Sequence, residues 1–247
     1  MLKTITLLGV TITAEKPDKI LEYVFSEIKK GKQKLFLTTP NPEMLVYANS
    51  HLDYKDKLNS SHVSLPDGIG LVLASLFLNK PRLCRFTGVD FLEQVCQRSR
   101  DYPMSIGFLG GKGGVAEKAA QRLQNKYPWI KVVWVGEEWG SGKNDTVRHS
   151  SNEPIDILFV AFGVPKQEEW IYEQLPNLPV HAAIGVGGAF DYLSGRVPRA
   201  PKFVRVFGLE WLFRLILQPW RWKRQLALFK FLFLILKERF TSPRPSS

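Results

Sequence analysis

The sequence predicts an α/β fold, in which a mostly parallel, Rossmann-like sheet is flanked by helices and followed by a C-terminal helical appendage. In the second half of the body, short apolar segments typical of strands alternate with segments of helical periodicity. Residues 155–161 are apolar without alternation, which predicts a strand buried on both faces, as in a parallel sheet. The composition changes near residues 196–206. We therefore expect an α/β domain over 1–198, a basic amphipathic appendage over 199–240 and a disordered tail over 241–247.

The predicted strands begin with a short hairpin, because residues 4–8 and 10–13 read as strands and flank a glycine. The later strands are apolar segments that are followed by glycine, proline or polar residues. They are predicted at 34–39, 63–65, 105–109, 131–135, 155–161 and 181–186. Helices placed between strands of this kind indicate β–α–β units and therefore parallel pairing.

The predicted helices are recognised from apolar residues that recur on one face. Residues 17–30 show this pattern, and a second helix begins with Pro42 in its first turn. Residues 69–78 are apolar nearly all round, so we expect that helix to be buried. The remaining helices are predicted at 89–98, 115–126, 143–151 and 167–174.

The positive charge of the chain is concentrated near its C-terminus. Residues 199–240 hold ten Lys or Arg and two acids, so they carry +8 of the formal net charge of +11. The same segment contains three tryptophans and the apolar run 226–236. Basic charge with interfacial aromatics and apolar residues is typical of a segment that lies on an anionic membrane. A nucleic-acid groove would hold fewer aliphatic residues, so we expect a membrane partner and no nucleic acid.

The expected location is the cytoplasm, peripheral on the inner face of the cell membrane. The apolar run contains Lys230 and is about half the length of roughly twenty residues that a spanning helix needs. The N-terminus has the alternation of a strand and not the layout of a signal peptide. Cys84 and Cys96 form no CxxC motif and are expected to be buried thiols in a reducing cytosol. The apolar face of the appendage could pack on lipid or on a second subunit of a homo-oligomer, and the sequence does not decide between them.

Two glycine-rich segments follow predicted strands and are candidates for binding phosphate. Glycines let backbone N–H groups approach a phosphate, and a helix N-terminus adds partial positive charge. The first segment matches neither a Walker A loop nor a clean GxGxxG fingerprint, so a tight β–α turn stays open as its explanation. Two such loops at strand ends favour a ligand in the crevice there. The candidate residues are Gly110, Gly111, Gly113, Gly185, Gly187, Gly188 and Asp191.

Further polar residues lie beside predicted strand ends. Arg196 and Arg199 occupy a proline-bounded loop, where a guanidinium suits phosphate and a solvated basic loop is the alternative. Thr39 and Asn41 could bind hydroxyls or a base, or could cap the following helix. Gln167 begins a helix at the same predicted edge of the sheet.

Asp67 and Glu168 could each have a structural role or a chemical role. Asp67 lies between a short strand and an apolar helix, so it is either a helix cap or a general base, and the residues alone favour the cap. Glu168, in the first turn of its helix, is interpreted as compensation of the helix dipole. The four histidines lack ligand spacing and no Asp-x-Asp pair is present, so we expect no metal site and no cofactor.

Taken together, these segments resemble the WecG/TagA/CpsF family of bacterial glycosyltransferases (glycosyltransferase family 26). The resemblance spans about residues 5–225, and its motifs occur in the family's order. They are TTPNPEML at 38–45, LPDGIGL at 65–71, RFTGVDF at 85–91, GFLGGKGG at 107–114, FVAFGVPKQEEW at 159–170 and AIGVGGAFDYLSGRVPRAP at 183–201.

The resemblance implies an inverting, metal-independent transfer of an N-acetylmannosamine-type sugar from UDP. The implied acceptor is N-acetylglucosamine on undecaprenyl diphosphate, in the synthesis of teichoic acid or another cell-surface polysaccharide. In this reading Asp67 is the general base, and Thr39 and Asn41 contact the substrate sugars. Arg85 and Gln167 match the Arg and Gln of the family's RxxGxD and PKQE motifs.

The resemblance also makes 1–198 the catalytic domain and gives the appendage two roles, membrane docking and completion of the active site with arginines. The candidates here are Arg214, Arg221 and Arg224. A non-catalytic UDP-sugar-binding scaffold of a membrane polysaccharide assembly is the alternative function, and the joint presence of Asp67, Arg85 and Gln167 disfavours it. The donor sugar and the polymer stay open, since N-acetylmannosamine, its uronic acid and glucose all fit.

Overall fold

The computed structural model describes residues 2–137 and 154–241, which form eight strands and eleven α-helices. The strands are β1 Thr4–Leu7, β2 Val10–Thr13, β3 Leu35–Thr38, β4 Val63–Ser64, β5 Ser105–Gly110, β6 Lys131–Gly136, β7 Ile155–Ala161 and β8 Val180–Gly185. The helices are α1 Pro17–Lys30, α2 Pro42–Ser50, α3 Leu52–Asn59, α4 Ile69–Phe77, α5 Gly88–Arg98, α6 Val115–Lys126, α7 Lys166–Gln174, α8 Ala189–Leu193, α9 Lys202–Val206, α10 Glu210–Leu217 and α11 Trp222–Thr241.

The central sheet has six strands in the order β4-β3-β8-β7-β5-β6, and every neighbouring pair in it is parallel. Strands β1 and β2 form a separate antiparallel hairpin. Helices connect the strands and cover both faces of the sheet, as parallel crossovers require. The predicted α/β class and parallel sheet are confirmed.

Most predicted elements appear within one or two residues of their expected bounds. Helix α1 has the predicted bounds, and α2 begins with Pro42 behind an Asn41 side chain that accepts a hydrogen bond from the Met44 N–H at 3.0 Å. Helix α3 was missed, because only His51 separates it from α2 and its residues are mostly polar. The helix predicted at 143–151 lies outside the described residues.

The expectation that helix α4 is buried all round is wrong. Leu73 is 57% exposed, and Leu76 and Phe77 are also exposed, while Leu71 and Val72 are buried. An apolar sequence makes burial favourable but does not supply a partner for every face. Here the chain covers only one side of the helix.

Three apolar clusters form the interior. The first lies between one sheet face and helices α1, α5, α6 and α8, and the second packs α7 on the opposite face. The third joins the β1–β2 hairpin to helices α2, α3, α4 and α11. The C-terminal helix therefore contributes to the core as well as to the surface.

Helix α11 is anchored by two buried side chains and one acid. Phe231 is 2% exposed and Ile235 is 4% exposed, both within the third cluster. Glu238 accepts a hydrogen bond from the Leu8 N–H at 2.9 Å and pairs with Lys80 at 2.6 Å. Among the described residues no helix has the length and apolarity needed to cross a membrane. Of the tail predicted over 241–247, Thr241 ends α11 and the rest lies outside the described residues.

Replacement of Phe231 by alanine tests this anchor. We expect Phe231→Ala to lower the free energy of unfolding by about 3–4 kcal/mol, because it leaves a cavity in the third cluster. The matched control is Phe233→Ala on the same helix, since Phe233 is 65% exposed and its loss should cost less than about 1 kcal/mol. Urea unfolding measures both variants, and equal losses would show that α11 does not pack as described.

Candidate active site

The candidate site lies where the parallel strands end. Thr39 follows β3, Asp67 follows β4, Gln167 begins the helix after β7, and Gly187 follows β8. Carboxyl ends of parallel strands share one edge of a sheet, so these loops meet there. The Thr39 hydroxyl donates to the Gly185 carbonyl at 2.8 Å, which joins the β3 and β8 loops.

The loop that carries Asp67 is tied to the same edge. The Asp67 N–H donates to the Pro40 carbonyl at 2.9 Å, and the Phe86 N–H donates to the Pro66 carbonyl at 2.9 Å. These bonds place Asp67 between the β3 loop and the segment that carries Arg85. The sequence predicted both residues as site candidates, and the structure brings them into one neighbourhood.

The interpretation of Asp67 as a helix cap is wrong. Gly68 occupies the N-cap position of α4, with φ of +101°, and no side chain makes a capping hydrogen bond there. That φ lies in a region open to glycine and strained for other residues, so the backbone turns at Gly68 and not at Asp67. The Asp67 carboxylate is therefore not used to begin the helix. Asn41, by contrast, does cap its helix, as the capping alternative predicted.

The surroundings of Asp67 favour its protonated form. The pKa of Asp67 is raised to about 7, from an ordinary value of 3.8, mainly by burial and then by the charges of Glu210 and Asp90. Arg85 and the Gly88 N–H act in the opposite direction. A carboxylate with a pKa near the working pH can accept a proton and then release it.

Arg85 and Arg199 both lie in ion pairs. Arg85 lies 3.3 Å from Glu210 and 3.9 Å from Asp90. Arg199 pairs with Asp90 and, at 3.0 Å, with Glu93. Their positive charges are thus already balanced by protein acids. The exposed Arg196, on the same loop, lies outside this network in the part of the chain that the structure describes.

Gln167 links two loops through its side-chain amide. Its oxygen accepts hydrogen bonds from the Gly163 N–H at 3.1 Å and the Gly187 N–H at 3.0 Å. Its NH2 group donates to Glu168 at 2.6 Å. The loops after β7 and β8 are therefore held together by one buried side chain.

Glu168 does more than compensate a helix dipole, and its role was missed by the sequence reasoning. Its side chain is fully buried and accepts a hydrogen bond from the Tyr54 hydroxyl at 3.1 Å. Burial outweighs the hydrogen bonds from Gln167 and Tyr54, which lower the pKa of Glu168, so that this pKa is raised to about 7. A Cβ on Gly185 would lie 2.9 Å from this carboxylate, so glycine is needed there. In the sequence, only the strongly apolar strand β7 indicated that the helix after it, α7, begins in the interior.

The glycines of the two predicted loops have different surroundings. A Cβ on Gly188 would lie 2.6 Å from the Arg214 guanidinium, whereas Gly187 faces open space. In the loop after β5, a Cβ on Gly110 would lie 2.8 Å from the Ala161 backbone. The close approach of these two backbones therefore accounts for glycine at position 110. Its neighbour Gly114 donates its N–H to Glu137 at 2.8 Å. Strand β5, which carries this loop, lies two strands away from β8.

The remaining residues of the first loop are Gly111 and Gly113. A Cβ on Gly111 would lie 3.2 Å from Val115, and Gly113 faces open space. A tight β–α turn therefore accounts for Gly110 and Gly111, and binding of phosphate by this loop stays a prediction.

The three C-terminal arginines lie against the body. Arg214 pairs with Asp191 at 3.0 Å and stands over the Tyr192 ring at 4.7 Å from its centroid. Arg224 forms a bidentate pair with Glu43 at the start of α2. Arg221 forms no ion pair among the described residues and contacts Gln218 at 3.0 Å. The pKa of Arg221 is lowered to about 10, mainly by burial and then by the charges of Arg214 and Arg224.

Comparison with known proteins identifies the family of this chain. A model described as the glycosyl transferase WecG/TagA/CpsF family matches residues 5–245. The chain belongs to this family. It is a glycosyltransferase, as the motifs predicted.

Curated members of the WecG/TagA/CpsF family are similar over most of their length. The chain is 32% identical to the N-acetylglucosaminyldiphosphoundecaprenol N-acetyl-beta-D-mannosaminyltransferase of Bacillus subtilis (strain 168), covering 96% of this chain and 93% of the relative. It is 32% identical to the protein of the same name from Bacillus spizizenii, covering 91% and 86%. The same-named Staphylococcus aureus (strain MRSA252) protein is 30% identical, covering 79% and 76%.

Tyr54→Phe tests the buried hydrogen bonds that Tyr54 and Gln167 donate to Glu168. Because the folded chain holds the pKa of Glu168 at about 7, above the ordinary value of 4.5, the free energy of unfolding falls as the pH rises between these values. Loss of the Tyr54 donor raises this pKa further. We expect a destabilisation of about 1–2 kcal/mol that is larger at pH 8 than at pH 6.

Thermal and urea unfolding at the two pH values measure the effect. The control is Tyr172→Phe, since Tyr172 lies on α7 and is 47% exposed. An equal, pH-independent loss in both variants would show that the Tyr54 hydroxyl does not support the Glu168 carboxylate.

Proposed function

We propose that this glycosyltransferase moves an N-acetylmannosamine-type sugar from a UDP-sugar to N-acetylglucosamine on a polyprenyl diphosphate. The transfer inverts the anomeric centre, needs no metal ion and uses Asp67 as general base. The observation that carries the proposal is the Asp67 carboxylate, which does not cap its helix and has a pKa near 7 at the ligand edge of the sheet. The names of the relatives support the sugar and the acceptor.

The proposed reaction is a single in-line displacement. The acceptor hydroxyl oxygen forms a bond to the anomeric carbon of the donor, and its proton passes to Asp67. The bond between the anomeric carbon and the diphosphate oxygen breaks, and UDP leaves with the electron pair. A base with a pKa near 7 is ionised in half of the molecules at neutral pH and still binds the proton well.

The C-terminal arginines are proposed to stabilise the charge of the departing diphosphate. Arg221 is half-buried, has cationic neighbours and forms no ion pair among the described residues. Preorganised cations in a partly dry site stabilise developing negative charge strongly. Arg214 and Arg224 are the cations whose charges act on Arg221, and they pair with Asp191 on α8 and with Glu43 on α2.

Thr39 and Asn41 are proposed to contact the sugars. The Thr39 hydroxyl uses its proton for Gly185, so it can still accept a hydrogen bond from a substrate hydroxyl. The Asn41 oxygen is taken by the Met44 N–H, which leaves the NH2 group as a donor. Gln167 is proposed to act through the loops that it joins.

The C-terminal segment 199–240 is proposed to dock on the inner face of the cell membrane, where the lipid acceptor lies. Its exposed side combines positive charge with large apolar side chains, a composition that suits anionic lipid. The most exposed of these are Phe203, Val206, Phe207, Ile216, Trp220, Phe229, Phe233 and Phe240. The interior side of the same segment packs on the body through Phe231.

Asp67→Asn tests the general base. We expect kcat to fall by about 10²–10⁴-fold, since the acceptor hydroxyl loses its proton acceptor. Binding of the UDP-sugar should persist, and stability at pH 8 should not fall, because the substitution removes a charge that burial disfavours. Product mass from UDP-N-acetylmannosamine and a lipid diphosphate acceptor reports transfer, and calorimetry reports binding.

In the wild-type enzyme, the rate should rise with pH through about 7, where Asp67 becomes ionised. A scaffold that binds the donor without turnover would give no product in either protein. Wild-type transfer that Asp67→Asn leaves intact would contradict the role of Asp67.

Arg221→Ala tests the leaving-group site. We expect kcat/KM for the donor to fall by about 100-fold, because a cation that faces the diphosphate is lost. Arg196→Ala is the control, since Arg196 is an exposed basic residue on the preceding loop and should change kcat/KM less than about twofold. A point variant is preferred to deletion of the C-terminal segment, because deletion would also remove Phe231 from the core.

A further inference from the structure

The residues at the start of helix α10 pack against the segment that carries Asp67. Gly208 precedes α10 with φ of +73°, and a Cβ there would lie 2.6 Å from Ile69, two residues after Asp67. The Arg85 guanidinium donates to the Arg205 carbonyl at 2.8 Å. The C-terminal segment therefore contacts Ile69, which follows Asp67 in the chain, and Arg85.

An ion network lies at this contact and contains equal numbers of arginines and acids. The arginines are Arg85, Arg199 and Arg205, and the acids are Asp90, Glu93 and Glu210. Two of the acids belong to α5, whereas Glu210 comes from the C-terminal segment. The network is thus complete only when that segment is docked.

Glu210 lies between Arg85 of the body and Arg199, the first residue of the C-terminal segment. One carboxylate oxygen lies 3.3 Å from Arg85 and the other lies 3.7 Å from the Arg199 Nε atom. That Nε atom is buried and has no hydrogen-bond partner among the described residues, so Glu210 is its nearest counter-charge. The Arg85 and Glu210 side chains are each only 18% exposed, which limits screening by solvent.

Among the described residues, the charges with the largest effect on the pKa of Asp67 are those of Glu210, Arg85 and Asp90. Arg85, on the segment before α5, favours the ionised carboxylate, while Asp90 on α5 and Glu210 on α10 disfavour it. An aspartate whose main neighbour is an arginine becomes a stronger acid and therefore a weaker base. Glu210 balances the charge of Arg85 and adds its own repulsion, so both effects keep Asp67 basic.

We propose that Glu210 is a positioning residue for the transfer reaction: it pairs the C-terminal segment with Arg85 of the body and prevents Arg85 from acting as the counter-ion of Asp67. The inference rests on the proposed role of Asp67 as general base. It makes the strength of that base depend on docking of the C-terminal segment. A chain with an undocked segment then has a more acidic Asp67 and transfers sugar more slowly at neutral pH.

The experiment compares pH–rate profiles of wild type and Glu210→Gln, with UDP-N-acetylmannosamine and a short-chain lipid diphosphate acceptor. We expect the acid limb of kcat to move to lower pH by about half a unit or more, because a like charge is lost beside Asp67. The plateau rate at high pH should fall several-fold, as a weaker base accepts the proton less readily. Glu210→Asp keeps the charge and should return the limb toward its wild-type position.

Glu93→Gln is the matched control. Glu93 belongs to the same network and pairs with Arg199 and Lys126, but it is not among the charges that act on Asp67. Its profile should keep the wild-type position. Near-UV circular dichroism and the thermal midpoint check that each variant is folded, and hydrogen exchange over 199–217 should increase in Glu210→Gln.

Two results would overturn the inference. One is an unchanged pH profile in Glu210→Gln, and the other is an equal displacement in Glu93→Gln. The Asp67→Asn variant separates this failure from that of the proposed function. If Asp67→Asn is inactive and the Glu210→Gln profile is unchanged, only the role of Glu210 is wrong, whereas an active Asp67→Asn contradicts the general base itself.

Discussion

The common direction of the six sheet strands is the constraint on which the candidate site depends. It brings the loops after β3, β4, β7 and β8 to one edge, although their sequences lie far apart. Hydrogen bonds then join the loops in pairs, through Thr39 and Gly185, and through Asp67 and Pro40. Gln167 joins the loop after β7 to the loop after β8. The polar residues at this edge therefore share one hydrogen-bonded framework.

Charge is distributed unequally over that framework. Around Arg85 and Arg199, protein acids balance the cations, and burial, with the charges of Glu210 and Asp90, raises the pKa of Asp67. Around Arg221, cations are in excess among the described residues, and the pKa of that guanidinium is lowered. A basic carboxylate and an under-compensated cation are the two groups that a transfer to a hydroxyl with loss of a diphosphate would use.

The C-terminal segment takes part in both the core and the site. Phe231 and Ile235 fill the third apolar cluster, while Glu210 and Arg214 contact residues at the sheet edge. The change of composition near residue 199 therefore marks a change in surface character, and the apolar core continues beyond it. This arrangement places the exposed apolar and basic side chains next to the groups proposed to act on a lipid-linked substrate.

The sequence alone determined the α/β class, the position of most strands and helices, and the motifs that identify the family. These features follow from local periodicity and from residues close together in the chain. Tertiary structure decided which side of α4 is covered, that Gly68 and not Asp67 begins that helix, and that Tyr54 reaches the buried Glu168. It also decided that Glu210 lies beside Arg85, across 125 residues of chain. Burial and pairing of a charge depend on neighbours that only folding brings together, so no local pattern could predict them.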